Sequence, residues 1–407
     1  MKYTDEFIKA MPKSDLHLHL DGSLRLPSLI EMAKITNTKM PSDTIDGLKA
    51  LVFKDKYKDL GEYLHCFQYT CDVLRDLENL ERAAYELAID NQAEGVNYIE
   101  VRFAPQLHTD ASKGIDIDKV LIAVNNGLNR AKTEYNKQAL VQQGQKPSFE
   151  YGIISCALRM FGPKGFSPYY SNIFAAMGEF EPMQVITLAA MDMVKACVRI
   201  RDSKDIPIVG IDLAGQESGY PAGKFKEIYK FAHQHFMSKT IHAGEAYGAE
   251  SVFEAITECY ADRIGHGYSL FIPAMIKDPK ITDKAQYINR LSSFIADKRI
   301  AIEVCLTSNL QTNPIIETIK NHKFSEMLDK RIALTLCTDN RLVSNTTVSH
   351  EYRLALDNFD ISYNRLKDIV ADGFKKSFFG RDYVDKRAYA KQCMKYFEKV
   401  AREHQLI

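Results

Sequence analysis

Ser14-Asp15-Leu16-His17-Leu18-His19-Leu20-Asp21-Gly22 reads as a short strand that ends in polar residues. On an extended backbone, side chains two apart point the same way, so both imidazoles reach one divalent cation at roughly 2.0–2.1 Å. A strand end of this kind is half a metal site. Two ordinary histidines would give the same tripeptide, so the weight comes from three segments downstream. Ile241-His242-Ala243-Gly244-Glu245, Arg263-Ile264-Gly265-His266-Gly267-Tyr268 and Leu336-Cys337-Thr338-Asp339-Asn340 each place an ionisable group just after a short apolar run.

Eight apolar runs of strand length recur along the chain, at 14–18, 98–103, 151–158, 206–213, 239–242, 263–265, 300–306 and 332–337. Continuous runs, rather than alternation, suit strands buried on both faces of a parallel sheet. Between them a helical period is visible, as in Leu80, Ala83, Ala84, Leu87 and in Phe225, Ile228, Tyr229, Ala232. The pattern predicts an α/β fold, a (β/α)8 TIM barrel, as one domain over 1–407 with helical insertions over its C-terminal face. The ionisable groups then fall at the carboxyl ends of strands, where barrel enzymes carry their chemistry. The span 24–90 is far longer than one helix with its loops. It reads as a helical, lid-like excursion or equally as a satellite cap, with Leu64 and Phe67 about one turn apart. Two further insertions, 134–148 and 161–183, elaborate loops.

Composition narrows the partners. The 407 residues carry 53 basic and 53 acidic side chains, a formal net charge of zero. That leaves no electrostatic footprint for nucleic acid or an anionic membrane and favours a small molecule. No apolar run approaches the roughly 20 residues of a membrane span. Met1–Phe7 has no signal-peptide core, so a cytoplasmic location is expected. Eight cysteines (66, 71, 156, 197, 259, 305, 337 and 393) are scattered singly and read as reduced, mostly buried thiols.

His17, His19, His242, His266 and Asp339 form a nitrogen-rich set suited to zinc, with iron or cobalt as substitutes. Barrel hydrolases with two bridged metals recruit a modified lysine from the fourth strand. The fourth run, Ile208-Val209-Gly210-Ile211-Asp212-Leu213-Ala214-Gly215, has no lysine, which favours one ion per chain.

The segments Leu16-His17-Leu18-His19-Leu20-Asp21-Gly22, Asp212-Leu213-Ala214-Gly215-Gln216-Glu217, His242-Ala243-Gly244-Glu245, Gly265-His266-Gly267 and Thr338-Asp339-Asn340, in that order, resemble the adenosine deaminases of the metal-dependent hydrolase superfamily. The likeness runs from about residue 11 to about 380. It implies zinc-dependent hydrolytic deamination of adenosine and 2'-deoxyadenosine to inosine and 2'-deoxyinosine, with release of ammonia. His17, His19, His242 and Asp339 would hold one Zn2+, which lowers the pKa of water toward 7. By the same resemblance His266 would orient that water, accept its proton and stabilise developing charge, and Glu245 would protonate purine nitrogen 1. Gly215 would present its backbone N–H to nitrogen 3, Asp21 would accept from a ribose hydroxyl, and Leu64 and Phe67 would wall the sugar and ring. The chain departs from the animal enzymes at Asn340, where they carry a second aspartate. An amide there can donate directly to purine nitrogen 7.

Several polar residues keep simpler readings. Asp212 caps a loop or touches substrate, Glu217 partners Glu245 or, the reading preferred, lies on the surface, and Glu303, odd inside an apolar strand, has a buried partner or more simply points outward. Ser308 and Asn309 stand at the correct end for the site. His65, His108 and His322 are ordinary. Competing functions are a sibling enzyme acting on adenine, adenosine monophosphate or a modified nucleoside, a nucleoside receptor without turnover, and a zinc amidase or phosphotriesterase. The intact ligand and acid set disfavours a receptor, and the missing lysine disfavours a two-metal hydrolase.

Overall fold

A computed structural model describes residues 3–163, 167–313 and 315–407. Eight parallel strands pair in sequence order: β1 (Lys13–His19), β2 (Val96–Phe103), β3 (Glu150–Leu158), β4 (Ile208–Ala214), β5 (Ser238–Ala243), β6 (Arg263–His266), β7 (Ala301–Val304) and β8 (Ala333–Leu336). The ring closes just past the end of β8. Leu18 bridges Asp339 in parallel, the His19 N–H donates to the Asp339 carbonyl at 2.8 Å, and the Asp339 N–H donates to the His17 carbonyl at 2.8 Å. The predicted α/β barrel is therefore the observed fold, and closure itself brings Asp339 beside both histidines of β1.

The strands are buried along nearly their whole length, as continuous apolar runs require. The predicted boundaries hold to within two residues, the seventh run included. There Leu306 opens a short helix, Leu306–Thr312, instead of extending β7. Helix starts follow local capping chemistry: Asp76 accepts from the Asn79 N–H before Leu77–Ala93, and Asp116 from the Lys119 N–H before Ile117–Asn136. The 24–90 span contains helices Leu26–Thr36, Ile45–Leu51, Leu60–His65 and Phe67–Val73 as well as most of Leu77–Ala93. The 161–183 insertion contains helix Pro168–Ala176, while its residues 164–166 lie outside the described set.

The barrel interior is not purely apolar. Arg102 on β2 reaches Asp212 on β4 (3.0 Å) and Glu303 on β7 (2.9 Å). Arg263 on β6 donates to the other Glu303 oxygen at 2.6 Å and also pairs with Glu100. All five side chains are buried. Carboxylate set against guanidinium is the arrangement in which buried charge is tolerated. No helix among the described residues is long and apolar enough to cross a membrane. All eight cysteines are buried, as expected.

Candidate active site

Four of the predicted ligands converge where the strands end. His17 Nε2 lies 3.1 Å from His242 Nε2, His19 Nε2 lies 3.3 Å from His242 Nε2, and both His17 and His19 stand 3.4 Å from Asp339 Oδ1. These spacings match a tetrahedral site with bonds of about 2.0–2.1 Å, whose ligand atoms are separated by roughly 3.3 Å. The partners behind the rings fix their tautomers. His17 Nδ1 donates to Glu303 at 2.9 Å and His242 Nδ1 donates to Asp212 at 3.0 Å. Both Nε2 atoms therefore carry lone pairs that face each other, a repulsive contact that a cation would turn into two bonds. The donor set fits a divalent zinc-like ion on this ground.

Backbone geometry at the strand ends is unusual for non-glycine residues. Asp339 has φ +60° and His266 has φ +64°, a left-handed conformation that costs on the order of 1 kcal/mol per residue. Strain of that kind persists at sites where surrounding structure over-determines it. Gly265 is required by close approach, because a Cβ there would lie 2.9 Å from His17 Cε1. Ser308 donates to Asp339 Oδ2 at 2.6 Å and so leaves Oδ1 for the cation.

Glu245 faces this cluster, its Oε1 3.6 Å from His266 Nε2. Burial, the Glu217 carboxylate and Asp339 together push its carboxyl up to about 8, so it is neutral at neutral pH. Glu217 itself accepts backbone N–H bonds from Gly244 (3.1 Å), Glu245 (3.0 Å), Ala246 (2.6 Å) and Tyr247 (3.3 Å) and is capped by Ser251. One carboxylate thus shapes the loop that carries Glu245 and raises the proton affinity of its neighbour. Behind His266, His322 Nε2 donates to Asn309 Oδ1 (3.1 Å) and Asn309 Nδ2 donates to His266 Nδ1 (3.0 Å). The His266 ring proton is thereby placed on Nε2. Burial, then His17, holds His266 well below the usual imidazole range.

A cavity of about 250 Å³ opens onto these groups, lined among others by Asp21, Leu64, Phe67, Gly215, Glu245 and Asn340. Its volume suits a small molecule rather than a polymer. A model of the family described as adenosine deaminase matches residues 12–162 and 182–394. An adenosine deaminase of Clostridium botulinum is 32% identical over 371 residues, covering 91% of this chain and 95% of its own length. A probable adenosine deaminase of Dictyostelium discoideum is 31% identical over 376 residues, 92% of this chain but 41% of that longer protein. The chain belongs to the adenosine deaminase family. The gap between the two matched segments falls inside the 161–183 insertion, as an elaborated loop would. A solved Burkholderia ambifaria amidohydrolase with bound zinc has the same fold, with TM-score 0.77 and 20% identity over 99% of this chain and 95% of that one.

Against this family's site, several simple readings fail. Asp212 neither caps a loop nor meets the cavity, because it is buried between Arg102 and His242. Glu303 points into the barrel, since Arg102, Arg263, Thr240 and His17 all bond to it there. Glu217 is buried, not a surface charge, because four N–H groups of one turn need a single acceptor. His322 is the outer member of the relay to His266, and His65 lines the cavity. Sequence reading missed Tyr63, whose hydroxyl accepts from Asn340 Nδ2 at 2.7 Å and engages Ser344. One of the two Asn340 amide protons is thereby committed to the Leu60–His65 helix. Tyr63 sits one residue from Leu64 in the predicted wall, and that proximity was the available signal.

Proposed function

We propose that the chain catalyses zinc-dependent hydrolytic deamination of adenosine and 2'-deoxyadenosine to inosine and 2'-deoxyinosine with release of ammonia, a purine-salvage reaction. The observation that carries this reading is a neutral carboxyl, Glu245, set in a small cavity beside a His17, His19, His242 and Asp339 cluster. One zinc ion, held by that cluster, supplies a water acidic enough to attack near pH 7.

Glu245 gives its proton to purine nitrogen 1, which breaks the aromaticity of the ring and opens carbon 6 to addition. The resulting carboxylate takes the proton lost by the attacking water and passes it to the amine, which leaves as ammonia. The proton then lost by the new C6 hydroxyl returns Glu245 to its neutral form. His266, with its ring proton on Nε2, donates a hydrogen bond to the oxygen at carbon 6 and holds the charge that develops there. Asn309, donating to the other ring nitrogen, supports this donor role for His266. Gly215, at φ +94°, presents backbone to the purine edge. Asp21 accepts from a ribose hydroxyl, Leu64 and Phe67 cover the sugar, and the remaining Asn340 amide proton is free for nitrogen 7.

The ultraviolet change on mixing metal-analysed protein with adenosine, deoxyadenosine, adenine and adenosine monophosphate tests the proposal. Conversion of the first two, lost on chelation and restored by zinc, is the expected result. Conversion of another substrate alone would reassign the substrate, and binding without turnover would overturn the catalytic reading.

A further inference from the structure

Beside the cavity, three side chains from different elements meet. Asp21 follows the end of β1, Cys71 lies on helix Phe67–Val73, and His108 follows the short turn Pro105–Leu107 after β2. Asp21 Oδ2 is 3.8 Å from His108 Nε2 and 4.0 Å from Cys71 Sγ, and the three ligand atoms all lie within 4.8 Å of one another. His108 and Cys71 are wholly buried and Asp21 is 3% exposed.

Three buried polar atoms here are unsatisfied. Neither nitrogen of His108, nor Asp21 Oδ1, has a hydrogen-bond partner among the described residues. An orphaned buried polar group costs about 1–3 kcal/mol; a ribose hydroxyl serves Asp21, but nothing serves either nitrogen of His108, which points to a missing polar ligand. Apolar neighbours, Ala104 and Leu107 with the Phe103 ring 5.9 Å from the imidazole, offer nothing in its place. Sulfur, nitrogen and oxygen together select a borderline-to-soft cation over magnesium or calcium. Bonds of about 2.0 Å to nitrogen and oxygen and about 2.3 Å to sulfur require separations of roughly 3.3–3.6 Å, so the cation must draw His108 and Cys71 in toward Asp21. Asp21 and Cys71 both line the cavity, so the fourth coordination direction opens into it.

We propose that Asp21, Cys71 and His108 form a second cation site, for zinc or a cation of similar softness, whose occupation inhibits the enzyme. As the cation binds, the Cys71 thiol releases its proton to solvent and no electrons are transferred. Inhibition rests on the proposed function, because it arises by diverting Asp21 from the ribose hydroxyl; binding of the cation does not.

The first ligand cluster contains no sulfur, so a sulfur-to-metal charge-transfer band reports on the second site alone. Enzyme carrying one equivalent of zinc is titrated with Co2+, and separately with Cd2+, while near-ultraviolet absorption and bound-metal stoichiometry are followed. The expected result is a second equivalent bound with growth of the band, no band in Cys71→Ala, and binding weakened about tenfold or more in His108→Leu. Stoichiometry that stays at one, or a band that survives in Cys71→Ala and vanishes in Cys156→Ala, would overturn the site. In the activity arm, the second equivalent is expected to raise KM for adenosine and leave kcat unchanged. A fall in kcat at constant KM would overturn the inhibitory role. Protein that deaminates none of the nucleosides yet shows the Cys71-dependent band would refute the proposed function and leave the cation site standing.

Discussion

The barrel holds two buried polar layers with opposite internal logic. Deeper in, Arg102 and Arg263 meet Glu100, Asp212 and Glu303, so each carboxylate faces a guanidinium. At the mouth, imidazole lone pairs of His17 and His242 face each other, while Glu245 and Glu217 set carboxyl against carboxylate. The inner layer completes itself from protein groups. The mouth is completed by what binds there, and it stays in place because Glu303 and Asp212 belong to both layers. Each has one oxygen shared between Arg102 and a ligand histidine.

The two layers part most sharply at Glu303. Glu303→Ala leaves two guanidiniums buried against a missing partner, which should cost about 3–5 kcal/mol of stability in urea unfolding. A loss under about 1 kcal/mol would mean that the inner layer re-pairs without it. Glu245→Gln acts only at the mouth. It should leave unfolding and metal content unchanged and lower kcat about 100- to 10,000-fold, and an unaltered rate would remove the proton-transfer role. Asp212→Asn keeps an acceptor for His242 but withdraws the charge that Arg102 balances. Metal affinity, measured by competition with a chelator, should fall about 10- to 100-fold with a smaller change in stability. Affinity equal to that of the parent would show that the two layers are not coupled through this residue.

The two layers were also unequally legible. The mouth could be read because its residues follow apolar runs, and a polar group at the carboxyl end of a barrel strand has few structural reasons to be there. The inner layer could not. Glu100 and Arg102 lie inside the run at 98–103, and nothing local distinguishes an outward charge from one whose partners sit on strands more than a hundred residues away. Glu303 failed for the same reason, its partners coming from β1, β2, β5 and β6. Glu217 looked like a surface residue because its role depends on the fold of the loop after β5. That loop presents four N–H groups to one point in space, which spacing alone does not encode. His108 was unreadable as a neighbour of Asp21 until the β1 and β2 ends were placed side by side.

Glu217→Gln tests the finest distinction between the layers, namely that like charge at the mouth is functional. Below about pH 8 Glu245 is neutral and able to donate its proton; above it the carboxyl ionises and the reaction loses its acid. Activity should therefore fall on the alkaline side, the direction expected for a group that must be protonated and whose pKa is raised. Burial and Asp339 remain in the variant, but the Glu217 charge that also raises the pKa is gone. The Glu245 pKa must then move down, and the alkaline limb of kcat/KM moves to lower pH with it. The amide still accepts from the Gly244–Tyr247 turn through its oxygen, so rates well below the limb should change little. A limb that stays put while the whole profile sinks would mean that Glu217 serves only as the anchor of that turn. The opposition of carboxyl and carboxylate would then be a by-product of loop packing, and the inner and outer layers would differ in occupancy but not in electrostatic purpose.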